Sequence, residues 1–292
     1  MPVTGVPTNR TSIDLPVEVA QEILAKTIEG SAVMQLARQI VLPGRGAAIN
    51  VITGDPVAAW VGETGAKTVS DPELDTKIMR AYKLAVIVPF SNEFRRDVAS
   101  LYDEIVRRIP AALGQKFDNT VAGGTTAPGS DFDTFAAVTA QSLDPSAYAG
   151  IVAADADISS NGGILNGFIL APQGRGALLA ATDDNGRPLF INSVAEGAIP
   201  QILGARVVTS RGAYIAGTQG STPDVVGFAG DWSQAMFGTV EGVVIDYSSD
   251  ATLVDGETTI NLFQQNMFAV RAEIEIGFRA NLDVFNALTM PA

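Results

Sequence analysis

The stretch MFAVRAEIEIGFRANLD, residues 267–283, constrains the fold more than any other part of the chain. Phe268, Val270, Ala272, Ile274, Ile276, Phe278, Ala280 and Leu282 alternate with Arg271, Glu273, Glu275, Arg279, Asn281 and Asp283. Strand side chains point alternately to two faces, so this spacing predicts one long strand with one face buried and the other wet. Such a strand needs neighbours for its backbone and a layer over its apolar face. Its charged face is expected to discourage wrong pairing at an edge.

A second strand-like run is KIMRAYKLAVIVPFS, residues 77–91, with Ile78, Tyr82, Leu84, Val86 and Val88 on one face. Upstream, VLPGRGAAINVITGDPVAAWV, residues 41–61, reads as short strands cut by Pro and Gly. Between them, AWVGETGAKTVSDPELD holds Trp60, one of two tryptophans, in a run too polar to bury it. Two strands around such a tip make a long hairpin. An isolated hairpin is marginal in water, so this one needs a partner surface.

Next comes the best helix, SNEFRRDVASLYDEIVRRIPAALGQKFDNTVAGG, residues 91–124. Phe94, Val98, Leu101, Ile105, Ile109, Leu113 and Phe117 recur at spacings of four and three. Ser91 suits the N-cap, Glu93 the positive helix end, and Gly123 and Gly124 the stop. Pro110 lacks a donor and is expected to kink the helix. At ~1.5 Å per residue it spans about 45 Å, a spine laid across a flattened molecule.

The N-terminal residues 1–12 read as an extended arm. A helix follows, capped by Asp14 with Pro16 in its first turn; Ala20, Ile23, Leu24, Thr27 and Ile28 share a face, and Gly30 ends it. Ser31 caps a second short helix running to Arg38. Between about 133 and 250 the elements are short. DTFAAVTAQSL, SAYAGIVAADADI and GRGALLAAT read as helices; FILAP, VVGFAG, ARVVTS and AYIAG as strands; DDNGRPLF as a turn feeding a strand. In FAGDWSQAMFG, Asp231 caps a short helix from Ser233 to Phe237, and Trp232 packs at the end of a buried strand. The sum is an α+β protein, a sheet with covering helices.

Composition narrows the chemistry. There is no Cys and no His, which removes thiolate chemistry, a Ser-His-Asp triad and most zinc sites. Asp183, Asp184 and Asn185 before Gly186 and Arg187 have the wrong spacing for a calcium loop and read as a turn. Asp155 and Asp157 diverge on a helix. APQGRGALLAA lacks the third glycine and the lysine of a phosphate loop. The reading is a non-enzyme with no catalytic, cofactor or metal residues. Net charge is −13 with no basic block, which disfavours tight nucleic-acid binding but not a container around DNA. The N-terminus lacks a signal-peptide pattern and no apolar run nears the ~20 residues of a membrane span, so a soluble, intracellular protein with no membrane partner is expected.

The order of elements resembles a family. A short arm, LPVEVAQEIL…SAVMQLARQI, the hairpin AWVGE…KL…VPFSNEF, the long helix, DDNGRPLF, ILGARVVTS, FAGDWSQAMFG and AVRAEIEIGFRANLDVFNAL follow in turn over residues 12–290. This ordered set looks like the major capsid protein of tailed bacteriophages, of the Hong Kong 97 phage capsid type. The resemblance implies an N-terminal arm with helices (1–49), an extended loop (50–88), a peripheral domain with the spine helix (89–130 and 256–292) and an axial domain (131–255). It implies self-association into hexamers and pentamers of an icosahedral shell around packaged DNA, a virion location, and assembly in the host bacterial cytoplasm. A separate scaffolding protein or prior cleavage, a portal and a cement protein belong to the same picture.

By that resemblance Trp60, Glu63, Lys67, Asp71, Pro72 and Lys77 contact a neighbouring copy; Phe94, Val98, Leu101 and Pro110 belong to the spine. Asp183, Gly186, Arg187, Gly230, Asp231 and Trp232 form axial-domain turns. Trp60 packs either on another copy or on its own spine helix. Some family members join a loop Lys to a neighbour's Asn; Lys67 is the natural candidate here, with Asn281 and Asn286 available, but the acceptor motif is not evident. Competing readings are an encapsulin-type nanocompartment shell, a hydrolase of mixed fold, and a monomeric sugar- or peptide-binding module.

Overall fold

The computed structural model describes residues 27, 30–44, 46–54, 60–61, 73–93, 99–183, 187–190, 201–255 and 258–292. The expected helix over 14–28 lies outside them apart from Thr27. In chain order the elements are α1 (Ala32–Leu36), β1 (Arg38–Val41), β2 (Ala47–Gly54), β3 (Glu73–Met79), β4 (Tyr82–Ser91) and α2 (Ala99–Ala122). Then come β5 (Thr139–Ser142), α3 (Ala147–Ser160), β6 (Gly167–Leu170), α4 (Pro172–Ala180), β7 (Gln201–Ile202), β8 (Ala205–Thr209) and β9 (Asp224–Gly230). Last are β10 (Ala235–Thr239), β11 (Val244–Ser248), β12 (Thr252–Asp255), β13 (Thr258–Asn261), β14 (Met267–Ala280) and β15 (Phe285–Met290).

The long alternating strand is β14, and it is the centre of a five-stranded sheet rather than an edge. Along one side β4 runs antiparallel, from Met267 opposite Ser91 to Ile276 opposite Tyr82. On the other side β11 pairs residues 269–273 and β10 pairs 276–280; β1 adds a parallel strand to β10. Every apolar side chain from Phe268 to Ala280 in the alternation is buried. Leu282 falls in a 3-10 turn instead, so the strand stops at Ala280. Tyr82, Leu84, Val86 and Val88 of β4 face the same core, but Ile78 is exposed because the chain breaks at residues 80–81 into two strands.

The charges of β14 pair across the sheet: Lys83 with Glu275 at 3.2 Å and Glu273 at 3.7 Å, and Arg271 with Asp246. Exposed pairs of this kind add little stability; here they favour one register. Arg279 is better buried. It donates to Asp133 at 2.7 Å, Asp131 at 3.3 Å and the Ile78 carbonyl at 2.9 Å, tying the root of β3 to the sheet.

β2 and β3 form a separate two-stranded ribbon, from Ala47 opposite Met79 to Gly54 opposite Glu73. The expected loop over 50–88 therefore includes residues of β4 that belong to the central sheet. β10 and β11, placed in the axial part, pair in the β14 sheet; β15, placed in the peripheral part, pairs with β9.

α2 is unbroken through Pro110, with Ile109, Leu113, Phe117 and Val121 buried. Leu101 has helical backbone; Phe94 and Val98 lie outside the described residues. Gly123 follows with φ +93, the left-handed turn that ends the helix. Any Cβ there would sit 2.7 Å from the Ala136 side chain.

The second sheet has six strands in the order β5-β15-β9-β6-β8-β7. β6 is buried along its whole length, as expected of FILAP. α3 lies over β5 and β15, and α4, begun by Pro172, lies over β6 and β9. One aromatic cluster joins the two sheets. Phe135 stacks on Phe285 of β15 at 4.7 Å and meets Phe278 of β14 edge-on at 5.7 Å. Phe278 in turn meets Phe117 of the spine at 6.2 Å.

Several short elements differ from expectation, and in the first three strand pairing prevails over local helix signals. DTFAAVTAQSL is a 3-10 turn (Phe135–Ala137) followed by β5, whose Thr139–Ser142 backbone pairs with β15. Asp231 caps only a 3-10 turn, Trp232–Gln234, because β10 takes the chain from Ala235. α1 ends at Leu36, since Arg38 opens β1. AYIAG makes a single bridge, Ile215 to Val225, after a 3-10 turn over Arg211–Ala213. At DDNGRPLF, Thr182 and Pro188 form a bridge and residues 189–190 are bends; residues 191–200, where a strand would follow, lie outside the described residues.

Candidate inter-subunit contact surface

The segment between β2 and β3 carries the most exposed large apolar side chain among the described residues. Trp60 has a relative accessibility of 105%, and Val61 beside it is also exposed. A tryptophan carries a large apolar surface that is costly to leave in water. Packing of Trp60 on its own spine helix, one of the two expectations, is therefore not what the chain does. Glu63, Lys67, Asp71 and Pro72 lie outside the described residues. Lys77 Nζ donates to the Ala280 carbonyl at 3.2 Å, which anchors the ribbon's root to its own body.

Two buried carboxylates hold the body that presents the ribbon. Asp231, at the end of β9 after Gly230, accepts from the Ser233 hydroxyl at 2.6 Å and the Asn166 amide at 2.7 Å. It also takes the Ser233 and Ile164 backbone N–H groups and the Gln234 amide. Burial pushes its carboxyl up, but the donors from Ser233, Ile164 and Gln234 outweigh that and hold it below the usual range. Trp232 next to it is 2% exposed, donates Nε1–H to the Gly167 carbonyl at 3.0 Å, and packs edge-on to Phe285. The expected turn of Gly230, Asp231 and Trp232 is thus a brace between β9, β6 and the 3-10 turn. Asp183 and Arg187 close a smaller loop, the Arg187 N–H donating to the Asp183 carboxylate at 2.7 Å; Gly186 lies outside the described residues.

The second carboxylate was not legible from sequence. Asp118 on α2 accepts from the Ser31 hydroxyl at 2.5 Å, the Ser210 hydroxyl at 2.6 Å, the Ala32 N–H at 2.8 Å and the Val33 N–H at 3.2 Å. Ser31 itself accepts from the Met34 N–H and Ser210 from the Gly212 N–H, so both hydroxyl protons are committed to Asp118. Burial pushes the Asp118 carboxyl above its ordinary value, against the pull of those four donors. Gly212 makes the approach possible: a Cβ there would lie 2.6 Å from the Gln115 carbonyl on α2. One side chain thereby ties the start of α1, the spine helix and the loop after β8.

Of the two asparagines considered as cross-link acceptors, Asn286 is fully buried on β15 and donates to the Ala154 carbonyl at 3.2 Å. A neighbour's lysine has no access to it. Asn281 is partly buried and donates to the Gln234 side chain at 2.9 Å. Among the described residues no group of His, Cys, Asp or Glu is arranged to hold a metal ion, and no helix is long and apolar enough to cross a membrane.

The two-stranded ribbon, the spine helix and the two larger sheets together match the fold of solved phage capsid proteins. The chain superposes on a structure from Mycobacterium phage Ogopogo with a TM-score of 0.73, at 17% identity over 89% of this chain and 92% of the other. For Gordonia phage Cozz the TM-score is 0.70, at 22% identity over 90% and 87%. The phage capsid family matches residues 13–284, so the chain belongs to that family, whose members are structural proteins rather than enzymes. Among relatives, the probable major capsid protein gp17 of Mycobacterium phage L5 is 30% identical over 93% of this chain and 88% of its own length. The major capsid protein of Staphylococcus phage 80alpha is 26% identical over 94% and 84%. These likenesses do not favour the encapsulin reading.

Proposed function

We propose that this chain is the major capsid protein of a tailed phage, assembling with copies of itself into hexamers and pentamers of an icosahedral shell around double-stranded DNA. One observation carries the reading beyond family membership: Trp60 stands fully exposed beside a two-stranded ribbon, on a body whose other tryptophan is buried. The ribbon over 47–79, with Trp60, Glu63, Lys67, Asp71 and Pro72, reaches a neighbouring copy. The peripheral part is the β14 sheet with α2; the axial part is the six-stranded sheet with α3 and α4. Net charge of −13 supports enclosure of DNA without sequence-specific binding, since a shell that gripped its genome would hinder packaging and release. Assembly takes place in the host cytoplasm with a scaffolding protein, a portal and a cement protein as partners. Electron microscopy of the expressed protein, with and without co-expressed scaffold, tests this. Closed particles of uniform size are expected; a protein that stays monomeric under both conditions overturns it.

A further inference from the structure

Asparagine followed by glycine is a chemically labile pair. The glycine nitrogen attacks the asparagine side-chain carbon, ammonia leaves, and water opens the resulting succinimide to aspartate or isoaspartate. Glycine has no Cβ to hinder that approach. Three such pairs occur in the sequence, and two lie among the described residues: Asn161–Gly162 and Asn166–Gly167, at either end of the turn from α3 to β6. Both asparagines are exposed, so burial shields neither from water.

The two are held differently. Asn161 makes one side-chain bond, Nδ2 donating to the Asp283 carbonyl at 2.9 Å. Asn166 is gripped at both ends of its amide: Nδ2 donates to the Asp231 carboxylate at 2.7 Å and Oδ1 accepts from the Trp232 N–H at 2.9 Å. The first of these is charge-assisted, the stronger kind. Attack requires the amide carbon to close on the Gly167 nitrogen within a narrow range of geometry, and turning to it gives up both bonds. Gly167 is fixed as well, because a Cβ there would lie 2.6 Å from the Trp232 ring. The brace therefore needs both members of the labile pair and has to keep them from reacting.

Failure would be local and severe. A carboxylate formed at position 166 would face Asp231 at hydrogen-bond distance, where like charges repel. Isoaspartate would add a methylene to the backbone entering β6, the strand between β9 and β8.

We propose that Asp231 guards the Asn166–Gly167 bond, making Asn166 a deamidation site that opens only when the brace between β9 and β6 opens. The assignment does not depend on assembly into a shell.

Full-length wild-type, Asp231→Ala and Ser233→Ala chains, incubated in mildly alkaline buffer below their unfolding transitions, test this. Mass spectrometry with peptide fragmentation reads Asn161 and Asn166 separately. The wild type should convert Asn161 before Asn166. In Asp231→Ala, conversion of Asn166 should speed up about tenfold, the population effect of losing one charge-assisted hydrogen bond, with Asn161 unchanged. Ser233→Ala removes a different donor to Asp231, at 2.6 Å, and should leave Asn166 slow. Equal acceleration at both sites in Asp231→Ala would mean that the substitution acts by unfolding, and overturns the proposal. It is overturned as well by an unchanged Asn166 in Asp231→Ala, by a fast Asn166 in Ser233→Ala, or by a wild type in which Asn166 converts as quickly as Asn161.

Discussion

The two tryptophans sit in opposite surroundings, and the contrast separates what folds this chain from what assembles it. Trp232 is enclosed by Phe135 and Phe285 and satisfied at its indole N–H by Gly167. Trp60 presents its whole side chain to solvent next to a ribbon of two strands. The body is closed by contacts within one chain: an aromatic cluster across both sheets and two buried carboxylates that gather distant segments. The ribbon pairs as two strands apart from the larger sheets, and two strands alone are marginal in water. On the proposed reading, a second copy of the same chain covers Trp60.

The contrast can be broken by truncation. Trp232→Ala empties a packed aromatic site and should destabilise the unassembled chain by about 4 kcal/mol in denaturant unfolding. Asp118→Ala strands two hydroxyls and two backbone N–H groups, and should cost about 3 kcal/mol by the same measurement. A loss below about 1 kcal/mol would mean that the clamp joining α1, α2 and the loop after β8 does not hold the body together.

The carboxylates also predict opposite pH behaviour. The depressed pKa of Asp231 gives stability that is present above its unfolded value, about 3.9, and lost as pH falls through the folded one. The gap in unfolding free energy between wild type and Asp231→Asn should therefore close on acidification below pH ~4. The raised pKa of Asp118 acts the other way: its contribution is present below the unfolded value and lost as pH rises through the folded one. Carboxyl titration followed by NMR should find Asp231 below and Asp118 above the ordinary range; the reverse order would contradict the assignment. At the small end, Trp60→Ala should leave the unfolding midpoint of the unassembled chain unchanged while preventing assembly. Lys83→Met, which removes an exposed partner of Glu273 and Glu275, should change neither.

Where a single periodicity dominated, the sequence was readable. The alternation over 268–280, the apolar stripe through Ile109, Leu113 and Phe117, and the buried run FILAP all led to the observed elements. What was lost depended on partners far along the chain. β5 looks helical until β15, nearly 150 residues later, pairs with it. The Asp118 clamp joins Ser31 and Ser210, separated from it by 87 and 92 residues, so no local spacing announces it. Its only trace is an aspartate beside the apolar stripe at Phe117. The sheet partners of β10, β11 and β15 were hidden for the same reason, because they pair across segments distant in sequence. Trp60 was legible in the opposite sense: a large apolar side chain in a polar run, with nothing nearby to receive it.

Acrylamide quenching of tryptophan fluorescence, in unassembled chains and in purified particles, tests the central claim most directly. With Trp232 enclosed in both states, Trp60 alone should account for the accessible emission of the free chain. That accessible fraction should disappear in the particles as a second copy covers the ribbon. Equal quenching in the two states would mean that Trp60 stays in solvent throughout, and that the ribbon is not where one copy meets the next.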